Sequence, residues 1–107
     1  MNANAIIVTT TSASREEADS IANKLVELRL AACVQLSEIS SVYRWKNDVT
    51  TSSEVMLTVK SRESLYQEIE NIIEALSSYD TPEIVATPIT HGSKSYLTWI
   101  FEETRDR

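Results

Sequence analysis

A chain of 107 residues has room for one hydrophobic core and not for two, so residues 1–107 are expected to form a single domain. With 42% hydrophobic and 24% charged residues and no low-complexity tract, the chain is expected to be ordered nearly throughout. The formal net charge of −6 repels phosphate backbones and anionic lipid surfaces, which argues against nucleic acid and membrane as partners.

No apolar run approaches the roughly 20 residues of a membrane span, and the stretch from Met1 to Ala5 carries no basic, signal-type leader. The expected address is therefore cytoplasmic. Cys33 is the one cysteine, in the apolar setting Leu30-Ala31-Ala32-Cys33-Val34, and is expected to be a buried, inert thiol.

In chain order, the β-branched run from Ala5 to Thr10 reads as a strand buried on both sides. At Ser14 the period changes. Ser14 and Glu17 have capping-box spacing, acidic residues fill the first turn, and Ala18, Ile21, Ala22, Leu25 and Leu28 share a face, which predicts a helix from about Ser14 to Leu30. Cys33 to Trp45 is β-rich with a polar break at Ser37-Glu38. Lys46-Asn47-Asp48 then supplies turn chemistry, and Val49 to Lys60 alternates, giving a long hairpin.

A second helix is expected to open at Ser61 and end near Ser77-Ser78, with Leu65, Ile69, Ile72, Ile73 and Leu76 as its apolar stripe. Glu83 to Thr87 reads as a strand delimited by Pro82 and Pro88, since proline cannot donate to a ladder. Gly92, the only glycine, marks the place where positive φ is expected, and a last helix follows from Ser93. The order βαββαβ plus a terminal helix predicts an α+β, ferredoxin-like sandwich. Its hairpin outruns the helices that would cover it, and the outer part holds Val42, Tyr43, Trp45 and Val49. Such an apolar edge is expected to be completed by copies of the same chain.

Five motifs then occur in order: Leu30-Ala31-Ala32-Cys33, Tyr43-x-Trp45, Glu54-Val55 leading to Lys60, Tyr79-x-x-Pro82-Glu83-Ile84, and Gly92-x-x-x-Tyr96-Leu97-x-Trp99. Across nearly the whole chain this pattern resembles the CutA divalent-cation tolerance family. The resemblance implies a homotrimer held by intersubunit strand pairing, with a role in tolerance of copper and other divalent cations. It also implies kinship with the trimeric PII signalling proteins, which bind small effectors between subunits. Where some bacterial members carry a Cys at the end of the first strand and a His pair or His-Pro just before the motif tyrosine, this chain has Thr10 and Leu76-Ser77-Ser78, so most of the copper-ligand set is missing.

Cys33 and His91 are left as the soft metal donors, and copper or another divalent cation is the only cofactor to be considered. Tyr43, Trp45, Lys60, Tyr79, Glu83, Tyr96 and Trp99 form the candidate intersubunit cleft, with Lys60 and Glu83 as a potential ion pair. Two functions follow: a trimeric metal-tolerance protein, or a PII-like trimer taking a small molecule or partner in that cleft. An enzyme is not expected. Acylphosphatase-like chemistry on this fold needs an anion-cradling loop after the first strand, and Thr9 to Ser14 contains neither glycine nor arginine.

Overall fold

The computed structural model describes residues 4–106; the part of the N-terminal reading that covers residues 1–3 lies outside them. Strands β1 (Ala5–Ser12), β2 (Cys33–Trp45), β3 (Asp48–Arg62) and β4 (Ile84–Pro88) alternate with helices α1 (Arg15–Glu27) and α2 (Tyr66–Leu76), and α3 (Lys94–Glu103) closes the chain. The four strands form one antiparallel sheet in the order β2-β3-β1-β4. This is the ferredoxin-like topology expected from the element order. No helix is long and apolar enough to cross a membrane among the described residues.

Strand alternation sorts the sheet into two faces. Ile6 and Val8 of β1, with Val55, Leu57 and Val59 of β3, point toward α1 and α2, where Ile21, Leu25, Ile69 and Ile73 complete a closed core. On the opposite face lie Ile7, Thr9 and Thr11 of β1 and Glu54, Met56, Thr58, Lys60 and Arg62 of β3. Helix α3 packs against β3 and β1 on this second face, beside Lys60 and Arg62, and so covers only one end of it.

Several boundaries differ from the expected ones, each for a local reason. Helix α1 stops at Glu27 because Arg29 enters the left-handed region (φ 59°), while Arg29 N–H bonds Val26 O and Leu30 N–H bonds Leu25 O. These two bonds form a Schellman motif with arginine where glycine is usual, sealed by the buried Leu25 and Leu30. Ser61 and Arg62 remain in β3 because the ladder to β1 runs on to Ala5 opposite Arg62; a 3₁₀ turn at Glu63–Leu65 then leads into α2. Ser37 and Glu38 do not interrupt β2. As an edge strand, it carries them in unbroken register against Met56 and Val55.

The hairpin turn falls where expected, but its left-handed residues are Lys46 (φ 51°) and Asn47 (φ 72°), while Asp48, expected in the turn, is the first residue of β3 and pairs with Trp45. Gly92 is a correction, since no glycine has positive φ. What requires glycine there is space: a Cβ would sit 2.9 Å from Leu97 Cδ2. Cys33 is also a correction, being half-buried rather than enclosed.

Candidate functional site

Beyond the core, the hairpin extends as an exposed ribbon. Val42 and Val49 are each 69% exposed, Trp45 47% and Tyr43 41%. Tyr43 and Trp45, two residues apart on β2, share the sheet face opposite α1 and α2, as do Ser41, Glu54 and Thr11. The loop between α2 and β4 reaches round the end of the sheet to this face. Together they enclose a cleft of about 710 Å³.

A carboxylate on α1 fixes that loop. Glu17 accepts a hydrogen bond from Ser12 Oγ at 2.8 Å with one oxygen and from Ser78 N–H at 3.2 Å with the other. Ser14 does cap α1, accepting from Glu17 N–H at 3.1 Å, but the Glu17 side chain is committed to the loop instead of returning to Ser14. With Ser78 tethered, Tyr79 is delivered to the cleft, where its hydroxyl donates to Glu54 Oε2 at 2.6 Å.

The electrostatics follow from this contact. Burial raises the pKa of Glu54, but hydrogen bonds from Ser41, Tyr79 and Thr11 outweigh it, so the carboxyl sits below its ordinary value and is ionised. Tyr79 moves the other way: burial first, and then donation to the Glu54 carboxylate, push its phenol far above the usual tyrosine value. Tyr79 is thereby a fixed donor, and Glu54 a fixed negative charge. Tyr43 Oη lies 2.8 Å from Ser52 Oγ, which steadies the second ring of the wall.

Of the seven expected cleft residues, Tyr43, Trp45, Tyr79 and Glu83 line this one cavity. Lys60, Tyr96 and Trp99 form a separate group on the same face. Lys60 Nζ reaches Gln35 Oε1 at 3.2 Å and Tyr96 Oη at 3.4 Å and lies 5.5 Å from the Tyr96 ring centre, while Tyr96 stacks on Trp99 at 5.6 Å. The expected Lys60–Glu83 pair is not formed within the chain. Lys60 lies opposite Ile7 in the ladder, whereas Glu83 precedes β4 at the far end of β1, next to the Thr10–Ile84 pair.

The metal donors are also apart. Cys33 begins β2 at one edge of the sheet; His91 follows β4 at the other edge, exposed, its Nδ1 3.2 Å from Thr90 Oγ1. Thr10, at the family's cysteine position, is fully buried on the core face, with a hydroxyl that meets no hydrogen-bond partner. Among the described residues no three His, Cys, Asp or Glu side chains converge as metal ligands, so the donors of one chain do not fit a copper site.

Three residues escaped the reading of the sequence as site residues. Glu54 shares strand parity with Lys60, a signal that was available. Glu17 looked like a capping residue. Arg62 had no local mark, yet it anchors α3 by donating to Thr104 Oγ1 at 2.9 Å, to Thr104 O at 3.2 Å and to Phe101 O.

This arrangement defines a small ferredoxin-like α+β domain with a polar and aromatic cleft on the open face of its sheet. A family model described as CutA1 divalent ion tolerance protein matches residues 6–103, and the chain belongs to that non-enzymatic family. It is 41% identical over 102 residues to the chloroplastic protein CutA of Arabidopsis thaliana, a match covering 94% of this chain and 56% of the plant protein. Identity is also 41%, over 99 residues, with the divalent-cation tolerance protein CutA of Thermus thermophilus, covering 92% of this chain and 96% of that one. The crystal structure of CutA1 from Oryza sativa superposes with a TM-score of 0.94 at 36% identity, over 97% of this chain and 96% of that chain. This chain thus spans little more than half of the Arabidopsis relative and nearly all of the Thermus one.

Proposed function

We propose that this protein acts in divalent-cation tolerance as a homotrimer, with residues 1–107 as its repeating domain and with metal contacts collected between subunits. The observation that carries the reading is the hairpin, whose outer half leaves Val42, Tyr43, Trp45 and Val49 open to water in one chain. An apolar ribbon of this kind is completed by pairing with another sheet edge. The threefold count follows the family resemblance. Cys33 and His91, too far apart to act together in one chain, would each be present in three copies, and copper is the ion such soft donors favour. Size-exclusion chromatography with light scattering should give three times the 12.0 kDa chain mass; a monodisperse single chain at working concentration would remove the reading. Calorimetric titration with copper(II) should show binding that weakens in Cys33→Ala or His91→Ala. Absence of heat with the intact trimer would remove the metal part alone.

A second reading is a trimer that responds to a small molecule in the cleft beside Tyr43, Glu54 and Tyr79. Its support is a volume of about 710 Å³, within the range of small-molecule sites. The cytoplasmic address belongs to both readings, since an unpaired cysteine suits a reducing compartment; the Arabidopsis relative is named chloroplastic. Cell fractionation decides it.

A further inference from the structure

We propose that the cleft is the seat for the hairpin tip of a second copy of this chain, with Arg44 and Lys46 of one subunit set against Asp80 and Glu83 of the next. The inference rests on the homotrimer reading and names what its subunits exchange, so a neighbour's tip occupies the cleft in place of a free small molecule. Strand parity excludes the same contact within one chain. Arg44 lies between Tyr43 and Trp45, on the other face of the ribbon, and neither it nor Lys46 lines the cavity that those two rings border. Among the described residues no ion pair includes Arg44, Lys46, Asp80 or Glu83, and all four are exposed.

Charge, reach and symmetry fit this occupant. The tip carries two cations, Arg44 and Lys46, and one carboxylate, Asp48, whereas the cleft is lined by the carboxylates of Glu54, Asp80 and Glu83 and by no Lys, Arg or His. Beyond the last β1–β3 pair, Ser12 with Val55, residues Ile39 to Trp45 of β2 project from the sheet and span about 23 Å at about 3.3 Å each. A four-stranded sheet measures only about 14 Å across at a strand spacing of about 4.8 Å, so this ribbon is long enough to cross a neighbour's sheet to the loop before β4. The exposed Val42 and Val49, beside Arg44 on the ribbon, are enclosed by the same insertion. Tip into cleft is a head-to-tail contact between unlike patches, and such contacts close into rings.

The test is self-sorting. The full chain with Arg44→Glu, Lys46→Glu, Asp80→Lys and Glu83→Lys reverses tip and cleft together, so it matches itself, while any ring that mixes it with wild type contains like-charged contacts. The reversed chain is co-expressed with affinity-tagged wild type and the assemblies are weighed by native mass spectrometry. Mixed trimers are expected at least tenfold below their statistical share, whereas tagged and untagged wild type mix freely. Statistical mixing of the reversed chain, whether or not the spectrum shows a small molecule retained instead, would overturn the charge-paired seat while the homotrimer stands. Single chains in the wild-type control would overturn both. Should the reversed chain form no trimer of its own, Arg44→Gln with Lys46→Gln decides. Subunit exchange between its labelled and unlabelled trimers is expected to be at least tenfold faster than in wild type, and an unchanged rate would overturn the proposal.

Discussion

Tyr79 and Glu54, 25 residues apart, meet across the end of the sheet with Tyr79 Oη donating to Glu54 Oε2 at 2.6 Å. Among the described residues it is the one hydrogen bond between the α2–β4 loop and the open face of β3. It depends in turn on Glu17, which tethers the loop at Ser78.

Replacing Tyr79 by Phe should therefore lower stability by about 1 kcal/mol, the net worth of a partly exposed hydrogen bond to a charged group. The pH dependence has a definite sign at each end. Glu54 is depressed below 4.5 in the folded state, so its contribution is present above that value and is lost as pH falls through the folded pKa. Tyr79 is raised above 10.0, so its contribution is full below that value and is lost as pH rises toward the folded pKa. Urea unfolding midpoints from about pH 3 to about pH 11 should show the difference between wild type and Tyr79→Phe shrinking at both extremes. A difference constant across that range would refute the pairing.

Thr10 should gain stability on becoming valine. Its side chain is fully enclosed and its hydroxyl has no partner, so the desolvated oxygen is a cost that an isosteric methyl group removes. An increase of about 1 kcal/mol is expected from the usual penalty for an unsatisfied buried polar atom. Thermal unfolding that shows Thr10→Val less stable than wild type would mean that the hydroxyl is bonded in solution.

Gly92→Ala tests space against backbone conformation. The added Cβ would lie 2.9 Å from Leu97 Cδ2 and 3.0 Å from Cγ, while the glycine backbone is not left-handed. A loss of about 1 kcal/mol is expected from overpacking against a side chain that can partly yield. The same change should cost little in a Leu97→Ala background, a non-additivity that a double-mutant cycle measures. Full additivity would point to the backbone instead.

Arg62→Met should release the end of α3. The guanidinium donates to carbonyls of Phe101 and Thr104, lies 4.8 Å from the Phe101 ring centre, and pairs with Asp106 at 3.0 Å. Arg29 adds hydrogen bonds to the carbonyls of Glu102 at 2.6 Å and Glu103 at 3.3 Å, so two cations complete the negative end of this helix. Loss of Arg62 should cost about 2–3 kcal/mol, and Arg62→Lys should recover only part because it lacks the planar fork. Amide exchange should quicken over 94–103 and stay slow over 66–76; equal acceleration of both helices would indicate a global effect.

Much of this was legible beforehand because the signals are local. The period-two run of Val55, Leu57 and Val59 marks a strand with one face in the core, and the stripe of Ile69 and Ile73 marks the helix that lies on it. Asn47 announced the hairpin turn because asparagine is among the few side chains that tolerate left-handed backbone, whereas Asp48, expected to share it, lies in β3 and Lys46 takes its place. The same reasoning misjudged Gly92, where packing against Leu97 is what excludes a Cβ, and overlooked Arg29, a residue with no intrinsic preference for the conformation it adopts. Candidate cleft residues were legible as types but not as a set. Sequence chemistry grouped Lys60 with Glu83, and the register of β1 against β3 and β4 separates them.

By itself the sequence determined the order of elements, the sheet faces, the over-long hairpin and the family motifs, since each depends on spacing along a few consecutive residues. Only the tertiary structure decided that Tyr79 lands on Glu54, that α3 lies across the face opposite α1 and α2, and that Arg62 and Arg29 finish it. Those contacts join residues 25 to 74 positions apart. Their geometry is set by strand register and by the path of a loop held on one carboxylate, which no local periodicity encodes.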